Sequence, residues 1–151
     1  MKEAKQVIVV RTDIFSDQDS NGKMSLNPKL MGKMGIQMTH AAKAVILNQV
    51  KSGEWVINND ECMTKGMENH LETDPVYQWC QGAFVGVAVK VKSEEKLRNI
   101  YESALEAGLP CSFIVDAGRT VFEGIPTPTC VGIGPADPEE IDKITGKLRL
   151  L

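Results

Sequence analysis

Lys33 and Gln37 stand four residues apart, and Asp116, Arg119 and Thr120 fall within a run of five. On a helix the first pair shares one face a turn apart, and the run 116–120 reads as a turn at the carboxyl end of a strand. An ammonium, a carboxamide, a carboxylate and a hydroxyl are the groups that orient water, move a proton and hold a developing negative charge. Each also has an ordinary structural explanation, with Asp116 capping its turn and Arg119 pairing with an acid. Other constellations fail. Asp17-Gln18-Asp19-Ser20-Asn21-Gly22 opens like a calcium loop, but its twelfth position is Pro28 and no helix precedes it. Gly132-Ile133-Gly134 begins a dinucleotide fingerprint that Pro135 ends, which leaves a turn. Cys62, Cys80, Cys111 and Cys130 are 18, 31 and 19 residues apart, so no CxxC pair exists, and reduced, partly buried thiols are expected. His40 and His70 join no visible metal or Cys-His arrangement, and no serine sits in a nucleophile elbow.

These residues need elements to hold them. Residues 5–12 form a β-branched run without alternation, the mark of a strand buried on both faces. A polar loop at 16–23 and the cap pair Asn27-Pro28 lead into a helix over 31–50, whose stripe Met34, Met38, Ala41 and Val45 faces the core. Lys33, Gln37 and His40 stand on one face near its start. Residues 52–74 carry one Lys against six acids and break the rhythm, so they read as an insertion of unreadable structure. One or two helical turns at 75–81 and a strand at 84–91 follow, then a helix from the Ser93 cap to Ala107, stopped by Gly108. Strands at 111–115 and 129–133, a helix from Asp137 to Gly146 and a short strand or tail complete a β-α-β-α-β-β-α order. The expected fold is α/β: one three-layer domain with a mixed, mostly parallel sheet of four to five strands and helices on both faces. Ligands collect at the carboxyl ends of such strands, here Asp13 and Asp116.

A chain of 151 residues with 42% hydrophobic and 25% charged residues fits one soluble domain. The apolar run at 7–10 is too short for a signal peptide or a membrane span, so a cytoplasmic protein without membrane partners is expected. The net charge of −3 argues against a generally basic nucleic-acid coat, but it is lopsided. Residues 1–51 carry 8 basic and 4 acidic side chains, and residues 52–151 carry 9 and 16. Lys23, Lys29, Lys33, Lys43 and Lys51 span a stretch with no acid, a candidate anion-binding surface as well as an ordinary solvated face.

Met31-Gly32-Lys33, Gln37-Met38-Thr39-His40-Ala41-Ala42, Leu109-Pro110-Cys111-Ser112, Asp116-Ala117-Gly118-Arg119-Thr120, and Gly132-Ile133-Gly134-Pro135 followed by Ile141-Asp142-Lys143-Ile144-Thr145-Gly146-Lys147-Leu148 together resemble peptidyl-tRNA hydrolase 2, the archaeal and eukaryotic type. The likeness runs through about 100 of the 151 residues, including the N-terminal strand. Stretches near 17–28 and 52–74 look like insertions relative to the compact family pattern, and Val121 stands where that pattern has a glutamine.

The resemblance implies that Lys33, Gln37, Asp116, Thr120 and Thr129 line an active site, with Arg119 nearby. It implies hydrolysis of the ester between a peptide and the 3′-terminal ribose of tRNA, without metal or organic cofactor. Asp116 would then orient and deprotonate the water, Lys33 would stabilise the oxyanion or a phosphate, and Gln37 with Thr120 or Thr129 would hold carbonyl or water. The Lys and Asp roles are exchangeable at this point, since a desolvated lysine can itself serve as base. Lys23, Lys29, Lys43 and Arg119 become candidate tRNA contacts, DNA is not expected as a partner, and a homodimer rests on the resemblance alone. The rival is a non-catalytic tRNA- or protein-binding module on the same fold, which would have no chemical reason to keep Lys33, Gln37, Asp116 and Thr120 together.

Overall fold

The structure is a computed structural model that describes residues 3–51, 55–57, 62–64 and 74–151. Its centre is β1 (Lys5–Arg11), buried over five consecutive residues. Alternation sends Val7 and Val9 into one core and Ile8 and Val10 into another, on opposite faces of the sheet. That explains why the strand reads as an unbroken apolar run.

β1 pairs in parallel with β6 (Gly86–Val91) and antiparallel with β8 (Thr127–Ala136). β7 (Cys111–Asp116) lies antiparallel on the outer side of β8, and β9 (Arg149–Leu150) antiparallel beside β6, in the order β7-β8-β1-β6-β9. The five-stranded mixed sheet agrees with the expected α/β fold; the expected excess of parallel pairs does not. β7 does run in the direction of β1 and β6, but β8 returns from it and inserts between β7 and β1, so three of the four pairings are antiparallel. The carboxyl ends of β1, β6 and β7 therefore share one edge of the sheet.

Helices cover both faces. α1 (Met31–Lys51) packs on β8, β7 and β1. On the opposite face lie α3 (Glu94–Glu106), capped by Ser93, and α4 (Pro138–Thr145), capped by Asp137, with Leu97, Ala104 and Ile141 in the core. α2 (Pro75–Gln81) is capped by Asp74, whose carboxylate takes the N–H groups of Val76 and Tyr77. No helix among the described residues is long and apolar enough to cross a membrane.

Two segments differ from their expected form. The stretch expected as a polar loop at 16–23 begins a hairpin, β2 (Ser16–Gln18) and β3 (Met24–Leu26), whose tip is tied by Asp19 accepting the N–H groups of Asn21 and Lys23. The presumed turn at Gly132-Ile133-Gly134 is buried strand within β8, and the strand runs past it through the cis bond Gly134–Pro135 to Ala136. Gly132 is there for proximity. A Cβ on it would come 2.6 Å from the carbonyl oxygen of Ala41 and 2.8 Å from Ser112 Oγ, so only glycine lets α1 lie this close to the sheet. Of the expected insertion at 52–74, β4 (Trp55–Ile57) and β5 (Cys62–Thr64) form an antiparallel pair, and His70 lies outside the described residues.

Candidate active site

Asn27 begins the local construction: its side chain accepts the Lys29 N–H at 2.9 Å, capping the 3-10 turn Pro28–Leu30 that runs directly into α1. Helical periodicity then sets Met34 and Ala41 inward and carries Lys33 and Gln37 to the side facing β7 and β8. Ser112 fixes the height of the helix, donating to the Ala41 carbonyl at 2.8 Å while accepting the Gly132 N–H at 3.2 Å. The lock sits one helical turn beyond Gln37. Ser112 and Gly132 both lie in motifs that carry the family resemblance, but the sequence gives neither a role at the site.

Asp116 ends β7, and the following turn needs Gly118 at φ +77°. A Cβ on Gly118 would collide with the backbone of Ile125, so this glycine allows residues 118–125 to fold back on themselves. Its N–H also donates to Asp116 Oδ1 at 2.9 Å. Phe122 and Glu123 in the same loop have φ of 66° and 53°, and the Phe122 ring packs edge-on against buried Phe15 at 5.9 Å. Val121 opens this segment, half-buried.

The polar side chains meet in one chain of hydrogen bonds. Lys33 Nζ donates to Asp116 Oδ2 at 2.8 Å and to Thr120 Oγ1 at 3.2 Å. Gln37 Nε2 donates to the same Oδ2 at 3.0 Å, and Thr129 Oγ1 donates to Gln37 Oε1 at 2.8 Å. Burial grades along the chain: Thr129 is 0% and Gln37 2% exposed, the Asp116 side chain keeps 12% and that of Lys33 21%, and Thr120 is exposed. α1, β7, β8 and the 116–120 turn thus each contribute to one site open at its Lys33–Thr120 end.

Asp116 titrates below the ordinary carboxylate value. Burial pushes its pKa up, but hydrogen bonds from Lys33 and the Gly118 N–H, the charge of Lys33 and the Gln37 amide together outweigh it. The carboxylate has about four lone-pair positions, and these partners fill both on Oδ2 and one of the two on Oδ1. One acceptor position on Oδ1 remains. Lys33 has three N–H groups and uses two, and Thr120, accepting from Lys33, keeps its own O–H to donate. The site therefore offers one anionic acceptor beside two donors, the complement of a water attacking a carbonyl.

The other sequence candidates are placed elsewhere. Asp13 sits at a strand end as expected, but Arg11 holds both its oxygens, at 2.9 and 3.1 Å. His40 is exposed and does not join Lys33 and Gln37. Lys23 lies in the β2–β3 turn, Lys29 in the 3-10 turn, and Lys43 about 15 Å further along α1 than Lys33. These three and Arg119, which lies in the 116–120 turn itself, are exposed and sit on four different segments. Cys111 and Cys130 are free thiols; burial raises Cys111 and pushes Cys130 up to about 12, far from a nucleophilic thiolate. Among the described residues no three His, Cys, Asp or Glu side chains cluster as a metal site would need.

The family model described as "Peptidyl-tRNA hydrolase PTH2" matches residues 4–151. The chain is 38% identical to the peptidyl-tRNA hydrolase of Sulfurisphaera tokodaii, over 97% of this chain and 98% of that protein. It is 37% identical to the peptidyl-tRNA hydrolase of Methanocaldococcus jannaschii, over 97% and 99%, and 35% identical to that of Methanopyrus kandleri, over 97% of each.

Proposed function

The chain belongs to the peptidyl-tRNA hydrolase PTH2 family, and from that membership we propose that it hydrolyses the ester linking a peptide, or an N-blocked amino acid, to the 3′-terminal ribose of tRNA. The observation that carries the assignment of roles is the open acceptor position on Asp116 Oδ1 beside the unused donors of Lys33 and Thr120. A water bound at Oδ1 attacks the ester carbonyl and passes its proton to Asp116. The oxyanion forms against the third N–H of Lys33 and the O–H of Thr120. As the intermediate collapses, the C–O bond to the ribose breaks and the leaving oxygen takes the proton back from Asp116. Gln37 and Thr129 are too buried to reach the substrate, so in this reading they are positioning residues: Thr129 fixes the Gln37 amide and Gln37 fixes Asp116. No step calls for a metal or an organic cofactor.

Exposed Lys23, Lys29, Lys43 and Arg119 are the proposed phosphate contacts, positioning the tRNA more than selecting its sequence. A substrate made by translation supports the cytoplasm as the place of this activity and RNA as the nucleic acid it meets. A homodimer belongs to the same proposal and is read by light scattering. The test of function is release of labelled N-blocked aminoacyl groups from tRNA in excess chelator, wild type beside Lys33→Ala and Asp116→Ala. Fast release lost in both variants is expected. No release by folded wild type would leave only tRNA or protein binding as the role of this fold.

A further inference from the structure

A cavity of about 390 Å³ opens beneath the β2–β3 hairpin, at the same edge of the sheet as Asp116. Lys90 and Lys92 form one wall. Val89 and Val91 point into the α3 side of the sheet, so alternation places Lys90 on the α1 side, the side of the hydrolytic site. The hairpin lines the other side of the cavity with Met24, Ser25 and Leu26. Counting three strand spacings from β7 to β6, the lysines lie about 14 Å across the sheet from Asp116.

The cavity has unspent positive charge. Asp13 is the one carboxylate in its lining, and Arg11 occupies both its oxygens. The lining hydroxyls of Thr12 and Ser16 donate to the carbonyls of Val91 and Thr12. The ammonium groups of Lys90 and Lys92 have no ion pair or hydrogen bond among the described residues. Asp17 and Asp19 sit on the hairpin but outside the lining, Asp19 being folded into its tip. Two ammonium groups beside low-dielectric walls draw an anion, and Met24 and Leu26 give that anion's organic part an apolar surface.

Resting on the proposed tRNA substrate, we propose that this cavity is a subsite for one nucleotide of the single-stranded 3′ end, its phosphate on Lys90 and Lys92 and its ribose or base against Met24 and Leu26. A duplex offers its phosphates on the outside of a wide rod that does not enter such a space, whereas an unpaired strand offers phosphate and base together. The hairpin falls on the stretch near 17–28 that reads as an insertion in the sequence, and in this proposal the subsite is an addition that lengthens the grip on the strand leading to the ester.

The test compares wild type with Lys90→Gln/Lys92→Gln and, from the opposite wall, Ser25→Glu. Two quantities are read: affinity for uncharged tRNA across a salt series, and the ratio of kcat/KM for N-blocked aminoacyl-tRNA to that for the same ester on a lone adenosine. The lysine variant is expected to bind tRNA roughly tenfold more weakly with a salt slope shallower by about 0.7, the value for one single-strand phosphate. The ratio falls in parallel, and Ser25→Glu weakens binding in the same direction. Unchanged affinity and slope in both variants overturn the proposal, as does an equal loss on the adenosine ester, which would move the lysines into the hydrolytic site. If inorganic phosphate occupies the wild-type cavity while tRNA binding ignores both variants, the site serves a free anion and the proposal fails. A wild type that hydrolyses neither ester overturns the catalytic reading instead, because the binding series reports on the cavity without any turnover.

Discussion

Thr129→Val removes one hydroxyl, keeps the side-chain shape, and tests whether the buried end of the hydrogen-bond chain serves the exposed end. In the wild type the Thr129 O–H satisfies Gln37 Oε1 at 2.8 Å, in a place where Gln37 is 2% exposed and water cannot substitute. Valine leaves that oxygen buried without a donor, which costs about 1–2 kcal/mol, the lower part of the range for an unsatisfied buried group. For a chain of this length that lowers the melting temperature by roughly 3 to 6 °C. The released amide then no longer holds its N–H on Asp116 Oδ2, and a carboxylate misaligned by the loss of one hydrogen bond, about 1 kcal/mol, turns over about fivefold more slowly. The decrease belongs in kcat, because Thr129 is 0% exposed and touches no substrate. Thr129→Ser keeps the donor and restores kcat even where the lost methyl costs stability. The assay is steady-state release from N-blocked aminoacyl-tRNA beside thermal unfolding of the same preparations. A valine variant that loses stability but keeps wild-type kcat would refute the reasoning, leaving Gln37 and Thr129 as core polar residues and no more.

Four further outcomes follow from the same geometry. Asp116→Asn preserves the shape but removes the proton acceptor, so kcat falls by about 10² to 10⁴ while affinity for uncharged tRNA stays close to wild type; binding and turnover lost in equal measure would speak against the assigned role. Lys33→Met removes the hydrogen bond and charge that hold Asp116 below its ordinary value and leaves burial to raise it, so the acid limb of the kcat–pH profile moves upward, and a limb that stays put would separate Asp116 from the rate. The depressed pKa of Asp116 contributes stability that is present above the unfolded carboxylate value and is lost as pH falls through the folded one, so acid unfolding of the Lys33→Met variant shows less of that loss. Gly132→Ala drives a methyl against the Ala41 carbonyl at 2.6 Å, lifts α1 from β8, and costs about 1–3 kcal/mol in urea unfolding together with much of the activity, since Lys33 and Gln37 ride on that helix.

The parts of the fold legible in the sequence are those that local chemistry dictates. β1 shows itself because both of its faces are buried, and α3 and α4 because Ser93 and Asp137 cap them and Glu94 and Glu139 follow in the first turn. Strand direction is a long-range property. Nothing within residues 111–136 says that β8 will turn back and enter between β7 and β1, which is why a helix-and-strand alternation suggests more parallel pairing than the sheet contains. The hairpin at 16–26 is equally silent, its strands being three residues each, one of them polar throughout and the other a serine between Met24 and Leu26.

For the site, residue type was readable and depth was not. Lys33, Gln37, Asp116 and Thr120 announce themselves by spacing along one helix face and one turn, whereas Thr129 came only with the family resemblance, because a threonine in a strand has no local signature. Spacing cannot distinguish Lys33, which keeps 21% of its side-chain surface, from Gln37, which is almost sealed one turn later, and the proposed division between a group that meets substrate and one that holds it rests on that difference. The depth is set by Gly132 and Ser112, the two residues that let α1 sink onto β8. Their signal in the sequence is a glycine inside an apolar strand, which marks a bulge, a turn or a close backbone approach, and only the helix lying across it shows that here it is the approach.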